Sequence, residues 1–578
     1  MFKNFSNIFF QLAKKKRIIY FLSVLTLSIL EFLGLGLFLP VILSILDNSL
    51  LTSIIEKYDF NYLIKLNYEE TITFFLFLLL GFYFIKSLIS TFLKKKVLDT
   101  LAEFELHLSK KLFNNYVKKD LRFHITNNSA ELIRDIQMIS TIKGVLKEYF
   151  TIFTEFLLLL AIVTTLFFFY SADILIVFAF ILFFYLMFFI IPKKKLENIG
   201  YSRMVADGKS VKDLKDSFFA IKLLRLHNIE DFFVEKFAKS KKIAAYTDAK
   251  RQFINILPGI WIEMVFILSV IIIILFTMNY NILNQKELVI KLGIFSVIFF
   301  RTLPSLSRII ASLQFIKYAQ KFVDRYSQIK SHSEQNDLSQ KKVIDIKKKP
   351  NFDFDQILIQ NLNFNHKDSK VNLLKNVNIE ISKGQLIEIV GESGSGKSTL
   401  LNLILGLLKP IDGRIYFKNQ KISSTDSNWK NHFSFVPQES IIIDETIANN
   451  IAIGVIDIKK DNSKLSYSMT ASGLNKFLDK SLNYSLGEGG SRLSGGENQR
   501  IGISRAIYRD TPVIVMDEPT ASLDQKNQDK IVETINHIKN NQKKTIIIVS
   551  HKKLNGLQID KTYNISNGIV SELKTNLK

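Results

Sequence analysis

The apolar positions of this chain follow two rhythms. Up to about residue 313 they gather in long runs rich in Phe, Leu and Ile, whereas from residue 351 onward they come as short runs alternating with helical stretches. A helix needs about 20 mostly apolar residues to cross a bilayer. Six stretches qualify: Ile18–Leu46, Thr71–Leu93, Val145–Tyr170, Ala172–Ile191, Ile256–Thr277 and Leu288–Leu313. The first is overlong and either tilts or extends past the bilayer, and Leu39-Pro40 can break it locally if neighbouring helices satisfy the freed carbonyls. The connections 94–144 and 192–255 are too long to be structureless. Spans two to five are therefore expected to continue beyond the membrane as long helices, with sharp turns near Thr126–Ser129 and Leu224–Asn228. Between the first two spans, Leu50, Leu51, Ile54, Ile55, Tyr58 and Leu63 share one helical face. That segment, 48–66, reads either as an amphipathic helix on the outer membrane surface or as a loop packed on the spans.

A polar stretch, Ser331–Lys349, precedes Pro350 and reads as a linker. The chain is 578 residues long, too long for one ordinary core. The expected fold is multi-domain: an all-α six-helix transmembrane domain over 1–330, a linker over 331–350, and an α/β domain over 351–578.

Within the second half, Leu386–Val390 reads as a buried strand. It leads into Gly391-Glu392-Ser393-Gly394-Ser395-Gly396-Lys397-Ser398-Thr399, which fits G-x-x-x-x-G-K-[ST] and opens a helix. Backbone N–H groups there can wrap a phosphate, because glycine lets chain and anion approach closely. Lys397 would bridge the β- and γ-phosphates of ATP, and Ser398 would hold Mg²⁺. Val513–Met516 is an apolar strand ending in Asp517-Glu518. Asp517 suits Mg²⁺ coordination, and Glu518 suits the general base that polarises the attacking water. His551 follows a further strand, Thr545–Val549, and can reach the γ-phosphate. Gln438, after Phe435-Val436-Pro437, is a candidate contact to Mg²⁺ and water.

Charge refines this reading. The formal net charge is +23, which by itself would suit nucleic acid. Much of the Lys and Arg flanks the apolar runs, however, as at 14–17, 94–96 and 193–195. That is the signature of cytoplasmic loops beside an anionic leaflet, so no nucleic-acid partner is expected. Loop charges put both termini and the ATPase domain in the cytoplasm. The first apolar run is too long for a cleavable signal peptide. The absence of Cys excludes disulfides, thiolate zinc sites and Cys nucleophiles.

Three cations lie inside the apolar runs and more than four residues from either end of them: Lys86, Arg301 and Arg308. A charge near the bilayer centre costs roughly 2.5–3.5 kcal/mol on insertion scales. One reading is a cavity that binds an anionic substrate, with Arg offering forked donors to phosphate oxygens. The other is internal pairing with Glu31, Glu155 or Glu263.

The phosphate loop, Gln438, Leu493-Ser494-Gly495-Gly496-Glu497, Asp517-Glu518, Ser522-Leu523-Asp524 and His551, in that order, resemble the ATP-binding cassette (ABC) family over essentially all of 351–578. The resemblance implies two cassettes facing head to tail. Ser494, Gly495 and Gly496 of one copy would then cap the nucleotide held by the other, with Asp524 nearby, and the chain would work as a homodimer with ATP and Mg²⁺ as cofactors. His366 stands where the family usually places a Tyr against adenine, and Glu497 replaces a more usual Gln. Six spans followed by one cassette resemble an exporter-type half-transporter of a bacterial inner membrane. Phe300–Ile309 and the segment around Lys86 are similar to flippases of lipid-linked oligosaccharides. That resemblance implies a polyprenyl-diphosphate-linked glycan as cargo. Export of another lipid, a drug or a peptide remains open, as does a membrane-anchored regulatory ATPase.

Overall fold

The computed structural model describes residues 9–37, 68–169, 193–280, 285–337, 355–365, 372–417, 420–422, 427–455, 462–478, 484–521, 523–551 and 553–573. The chain divides into two compact units, Met1–Lys119 with His124–Asp337, and Asp120–Phe123 with Leu338–Lys578.

The first unit is helical. Its elements are α1 (Lys14–Gly36), α2 (Tyr68–Val117), α3 (Leu121–Thr126), α4 (Ser129–Gln137), α5 (Ile139–Phe169), α6 (Lys193–Phe219), α7 (Ile221–His227), α8 (Glu230–Tyr280), α9 (Gln285–Tyr318) and α10 (Gln320–Asp337). Segments 71–93, 145–169, 256–277 and 288–313 lie within α2, α5, α8 and α9, and α1 takes up the first part of 18–46. Segments 172–191 and 48–66 lie outside the described residues. Among the described residues two helices, within α1 and α2, are long and apolar enough to cross a membrane. The reason is plain in α2: Phe77, Leu80, Phe84, Leu88 and Phe92 recur every three or four residues and are all exposed. An outward apolar stripe of that kind is at home in lipid and costly in water.

Helices α2 and α8 run for 50 and 51 residues, far longer than a bilayer requires. The chain turns where local chemistry permits it. Asn128 caps α4, its side chain accepting from Ala130 N at 2.9 Å. Asn228 ends α7 in the left-handed region at φ 53°, a conformation Asn tolerates better than most residues. One boundary differs from the sequence expectation. The stretch Ser331–Asp337, read as linker, is helical and completes α10. Its residues are polar but include neither Gly nor Pro, so nothing in them stops a helix. Pro304 stands inside α9.

Packing between α6 and α9 depends on one small residue. A Cβ at Gly200 would lie 1.9 Å from the carbonyl oxygen of Tyr318. Gly200→Ala must therefore push the α9 terminus away, at a cost of about 1–3 kcal/mol as for other overpacked sites. A lowered melting transition of the detergent-solubilised chain is expected, and an unchanged transition would show that this contact is not tight.

The second unit carries two sheets. Strands β1 (Gln356–Phe364), β2 (Leu374–Ser382), β4 (Asp412–Phe417) and β5 (Gln420–Ile422) form an antiparallel sheet in the order β2-β1-β4-β5. The other sheet has the order β10-β9-β3-β8-β7-β6 and comprises β3 (Leu386–Gly391), β6 (Phe433–Val436), β7 (Val513–Asp517), β8 (Thr545–Ser550), β9 (Lys561–Ser566) and β10 (Ile569–Leu573). Every neighbouring pair from β9 to β6 is parallel. Strands β3, β7 and β8 are almost wholly apolar because both faces are covered. Ile387 and Ile389 enter one core with Val513, Val515, Ile547 and Val549, while Leu386 enters another with Ile514, Met516, Ile546 and Ile548. Helices α11 (Lys397–Ile404), α12 (Asn462–Ala471), α13 (Gly495–Arg509) and α14 (Gln525–Gln542) complete the described core of this unit.

Candidate functional site

Because β3, β8, β7 and β6 are parallel neighbours in that order, their carboxyl ends open along one edge. That edge is where open α/β sheets hold ligands. The phosphate loop leaves β3, His551 follows β8, Asp517-Glu518 ends β7, and Gln438 lies two residues past β6.

The loop itself is built for close approach to an anion. Gly394 and Gly396 take φ values of +79° and +102°, accessible to glycine without strain. A Cβ on Gly394 would meet nothing within 4 Å, so that side of the loop is open. Gly391 is tight for a different reason, since a Cβ there would lie 2.5 Å from Ile565 O. Helix α11 starts at Lys397, so the loop sits at a helix N-terminus, whose partial positive charge favours phosphate. Lys397 is buried and its ammonium donates to the Gly391 and Glu392 carbonyls at 2.9 and 2.8 Å. A cavity of about 1130 Å³ opens beside the loop, lined by Gly391, Gly394, Ser395, His551 and Lys553 among others.

Glu518 is the centre of the side-chain cluster at this edge. Its Oε1 lies 2.7 Å from His551 Nε2, and its Oε2 accepts from Gln438 Nε2 at 2.9 Å. His551 Nδ1 is 3.3 Å from Lys397 Nζ. One carboxylate is thus tied to the ends of β6 and β8 and, through the imidazole, to the phosphate loop. The backbone of Glu518 is left-handed, at φ 47°, which costs about 1–3 kcal/mol in a non-glycine residue. Its N–H bonds to Val549 O at 2.9 Å, which helps hold that conformation. Such strain is found where a side chain must be aimed.

Beside it, Asp517 suits a divalent cation. Its Oδ1 is buried with no hydrogen-bond partner, and Ser398 bonds to the same carboxylate. Burial pushes the Asp517 carboxyl above its ordinary range and the Glu518 charge adds to this, while the Ser398 hydroxyl opposes it. A buried carboxylate oxygen left without a donor, next to a serine hydroxyl, is the oxygen donor set expected of Mg²⁺. Gln438, the third expected metal contact, uses its amide nitrogen on Glu518.

Ser494, Gly495 and Gly496 form the start of α13. Ser494 is its N-cap, and with Glu497 it makes a capping box: Ser494 N donates to Glu497 Oε2 at 2.9 Å and Glu497 N to Ser494 Oγ at 3.4 Å. Glu497 also pairs with Lys476. Burial raises its carboxyl, but the Lys476 ammonium and the Ser494 N–H outweigh this and hold it below the usual range. The spacing Ser494-x-x-Glu497 is a signal that a comparison with a usual Gln overlooks. Asp524 caps α14, its Oδ1 accepting from Asn527 Nδ2 at 2.5 Å. His366 and Ser522 lie outside the described residues.

In the helical unit, two of the cations singled out in the sequence, Lys86 and Arg308, are paired. Lys86 is buried and donates to Glu31 Oε2 at 2.9 Å, against the Tyr83 ring. Arg308 makes a forked contact with Glu155, at 2.5 and 3.1 Å. Internal pairing thus accounts for both cations, since a charge away from water is tolerated when a partner offsets part of the cost of removing it. Arg301 lies in α9, and its side chain is outside the described residues.

This geometry defines a class, a P-loop ATPase domain in a chain whose other half is helical and partly membrane-apolar. Comparison with known proteins gives the family. Residues 374–521 match the model "ABC transporter", and residues 19–303 match "ABC transporter transmembrane region". The chain belongs to the ABC transporter family and is a membrane protein. Over 221 residues it is 34% identical to "ATP-dependent lipid A-core flippase 2" of Colwellia psychrerythraea, covering 37% of this chain and 37% of that protein. Over 200 residues it is 32% identical to "Leukotoxin translocation ATP-binding protein LktB" of a Pasteurella haemolytica-like species, covering 34% of this chain and 28% of that one. The chain spans about a third of the length of the curated relatives it matches. A bacterial Atm1-family ABC exporter solved with ATP bound has the same fold, with a TM-score of 0.72, 19% identity, and 93% and 94% of the two chains covered.

The cap at Ser494 separates two effects. Ser494→Ala removes the side-chain acceptor of α13 and should cost about 1 kcal/mol. Glu497→Gln keeps both backbone bonds and loses only the charge pair with a largely exposed Lys476, so it should cost less than about 1 kcal/mol. Thermal unfolding of the two variants checks the order, and a larger loss for Glu497→Gln would contradict it.

Proposed function

We propose that the chain is an ATP-driven exporter-type half-transporter that works as a homodimer in a bacterial inner membrane. The observation that carries the motor is the joining of Glu518 to His551 and Gln438 beside the phosphate loop. In this reading Glu518 accepts the proton of the attacking water. His551 orients that carboxylate and contacts the γ-phosphate, and Lys397 neutralises phosphate charge. Ser398, Asp517 and Gln438 would hold Mg²⁺, which would supply positive charge to offset that of the phosphates. Ser393, Gly394, Ser395, Gly396 and Thr399 supply the loop that wraps the phosphates, and His366 would stack on the base.

The start of α13 supports the homodimer. Ser494 and Gly495 are exposed at a helix N-terminus, an anion-binding end. In the dimer, that end would close on the nucleotide held by the other copy, with Asp524 beside it. Closure would be transmitted along the long helices to the membrane region, shifting it between two states by differential binding.

For cargo we assign an anionic lipid, a polyprenyl-diphosphate-linked oligosaccharide. The support is the sequence around Arg301. Lys86 and Arg308 direct their charge at Glu31 and Glu155, and we assign Arg301 to the diphosphate from the sequence alone. The name of one relative, a lipid A-core flippase, favours a second reading, in which the anionic lipid is lipid A-like.

Glu518→Gln should nearly abolish ATP hydrolysis, by on the order of a hundredfold or more, with ATP still bound. Turnover at the wild-type rate would remove Glu518 from the role of base. Arg301→Ala should impair flipping of a diphosphate lipid in proteoliposomes. Normal flipping of that lipid, or flipping of a lipid A-like substrate alone, would overturn the assigned cargo.

A further inference from the structure

We propose that Glu388, in the middle of the strand feeding the phosphate loop, is the positioning residue that holds His551 against Glu518. Its role rests on the ATPase reading above, but its geometry stands apart from that reading. Glu388 is fully buried in an otherwise apolar run, Leu386-Ile387-x-Ile389-Val390. A carboxyl there is expensive, because burial penalises its charge unless partners compensate. An aliphatic residue would fill the position more cheaply, so its partners are informative.

Those partners are both ends of the segment that carries His551. Glu388 Oε1 accepts from Ser550 Oγ at 3.0 Å and from Leu554 N at 3.2 Å. Ser550 directly precedes His551, and Leu554 follows it by three residues. The His551 side chain is 44% exposed, so surrounding packing does not hold the ring. One oxygen inside the sheet instead anchors the Ser550 hydroxyl before it and the Leu554 N–H after it, and His551 reaches Glu518 at 2.7 Å. This is how an outer contact fixes an inner one.

The second carboxyl oxygen supports the same conclusion. Glu388 Oε2 is buried without a partner, and so is Thr562 Oγ1. Glu388 and Thr562 are direct partners in the β3–β9 register. The side chain thus forgoes satisfaction at Oε2 while placing Oε1 on the His551 segment. Burial pushes the Glu388 carboxyl upward, and the Leu554 N–H, the Ser550 hydroxyl and Lys553 pull against it. Oε1 can accept hydrogen bonds whether the group is ionised or neutral, so positioning does not depend on its protonation.

The test uses the full-length chain in lipid, with two readouts. The first needs no activity: modification of His551 by diethyl pyrocarbonate, followed by peptide mass spectrometry. Glu388→Met keeps the length and removes the acceptor, so His551 should react several-fold faster than in the wild type. Glu388→Gln retains an acceptor and can donate to Thr562, so its His551 should react near the wild-type rate. Ser550→Ala removes one of the two bonds and should fall between, which keeps the test open if Glu388→Met does not fold. The second readout is turnover. Glu388→Met should lower kcat about tenfold with little change in the KM for ATP, and Glu388→Gln should restore most of it. In a His551→Ala background the same change should cost less than about twofold, because residues acting through one another are not additive. Equal His551 reactivity in all variants, or an undiminished loss in the His551→Ala background, overturns the proposal. A wild-type chain without ATPase activity would instead defeat the ATPase reading, while the labelling result still decides the role of Glu388.

Discussion

One carboxylate links the strand ends of this cassette. Glu518 is joined to Gln438 past β6 and to His551 past β8, and the imidazole in turn touches Lys397 of the phosphate loop. No two of these residues are close in sequence. They meet because β8 lies between β3 and β7, so that parallel strands deliver their carboxyl ends to one edge. The backbone of Glu518 pays for this in a left-handed conformation that few residues adopt. The buried acid Glu388 extends the same logic one layer inward, from the sheet to the segment that carries His551.

Much of the nucleotide half was legible because phosphate chemistry restricts residue type. Gly394 and Gly396 are required where the loop turns left-handed, and Lys397 opens a helix whose end favours anions. Strand ends could be located from apolar runs that stop at Asp517, Ser550 and Gly391. Strand order could not, because it depends on pairings across 160 or so residues that no local pattern encodes. That is why His551 and Gln438 could be placed near the phosphates but not onto opposite oxygens of Glu518. Glu388 was hidden for a related reason: a lone acid in a strand-like run says nothing of what it bonds until Ser550 and Leu554 are beside it.

The membrane half was legible in its helices and less so in its charges. Apolar length predicts where helices run, and Asn228 and Asn128 mark turns by chemistry visible in sequence. Pairing is another matter. Lys86 meets Glu31 across 55 residues and Arg308 meets Glu155 across 153, so the choice between a charged cavity and internal pairs needed the fold. The polar run Ser331–Asp337 misled for the opposite reason, since polarity was taken for a linker where helix-compatible residues simply continue α10.

The account's central claim is that this strand-end cluster is half of a site completed by a second copy of the chain. The chain contains no Cys, so a pair of introduced thiols reports without background. The direct measurement is disulfide formation in a Glu518→Gln chain carrying Ser393→Cys and Ser494→Cys, oxidised with and without ATP and Mg²⁺. A thiol pair closes only when the two Cα atoms come within about 7 Å. The account predicts a covalent dimer that forms with ATP and depends on both thiols. Monomer alone under both conditions, with ATP shown to be bound, would contradict it.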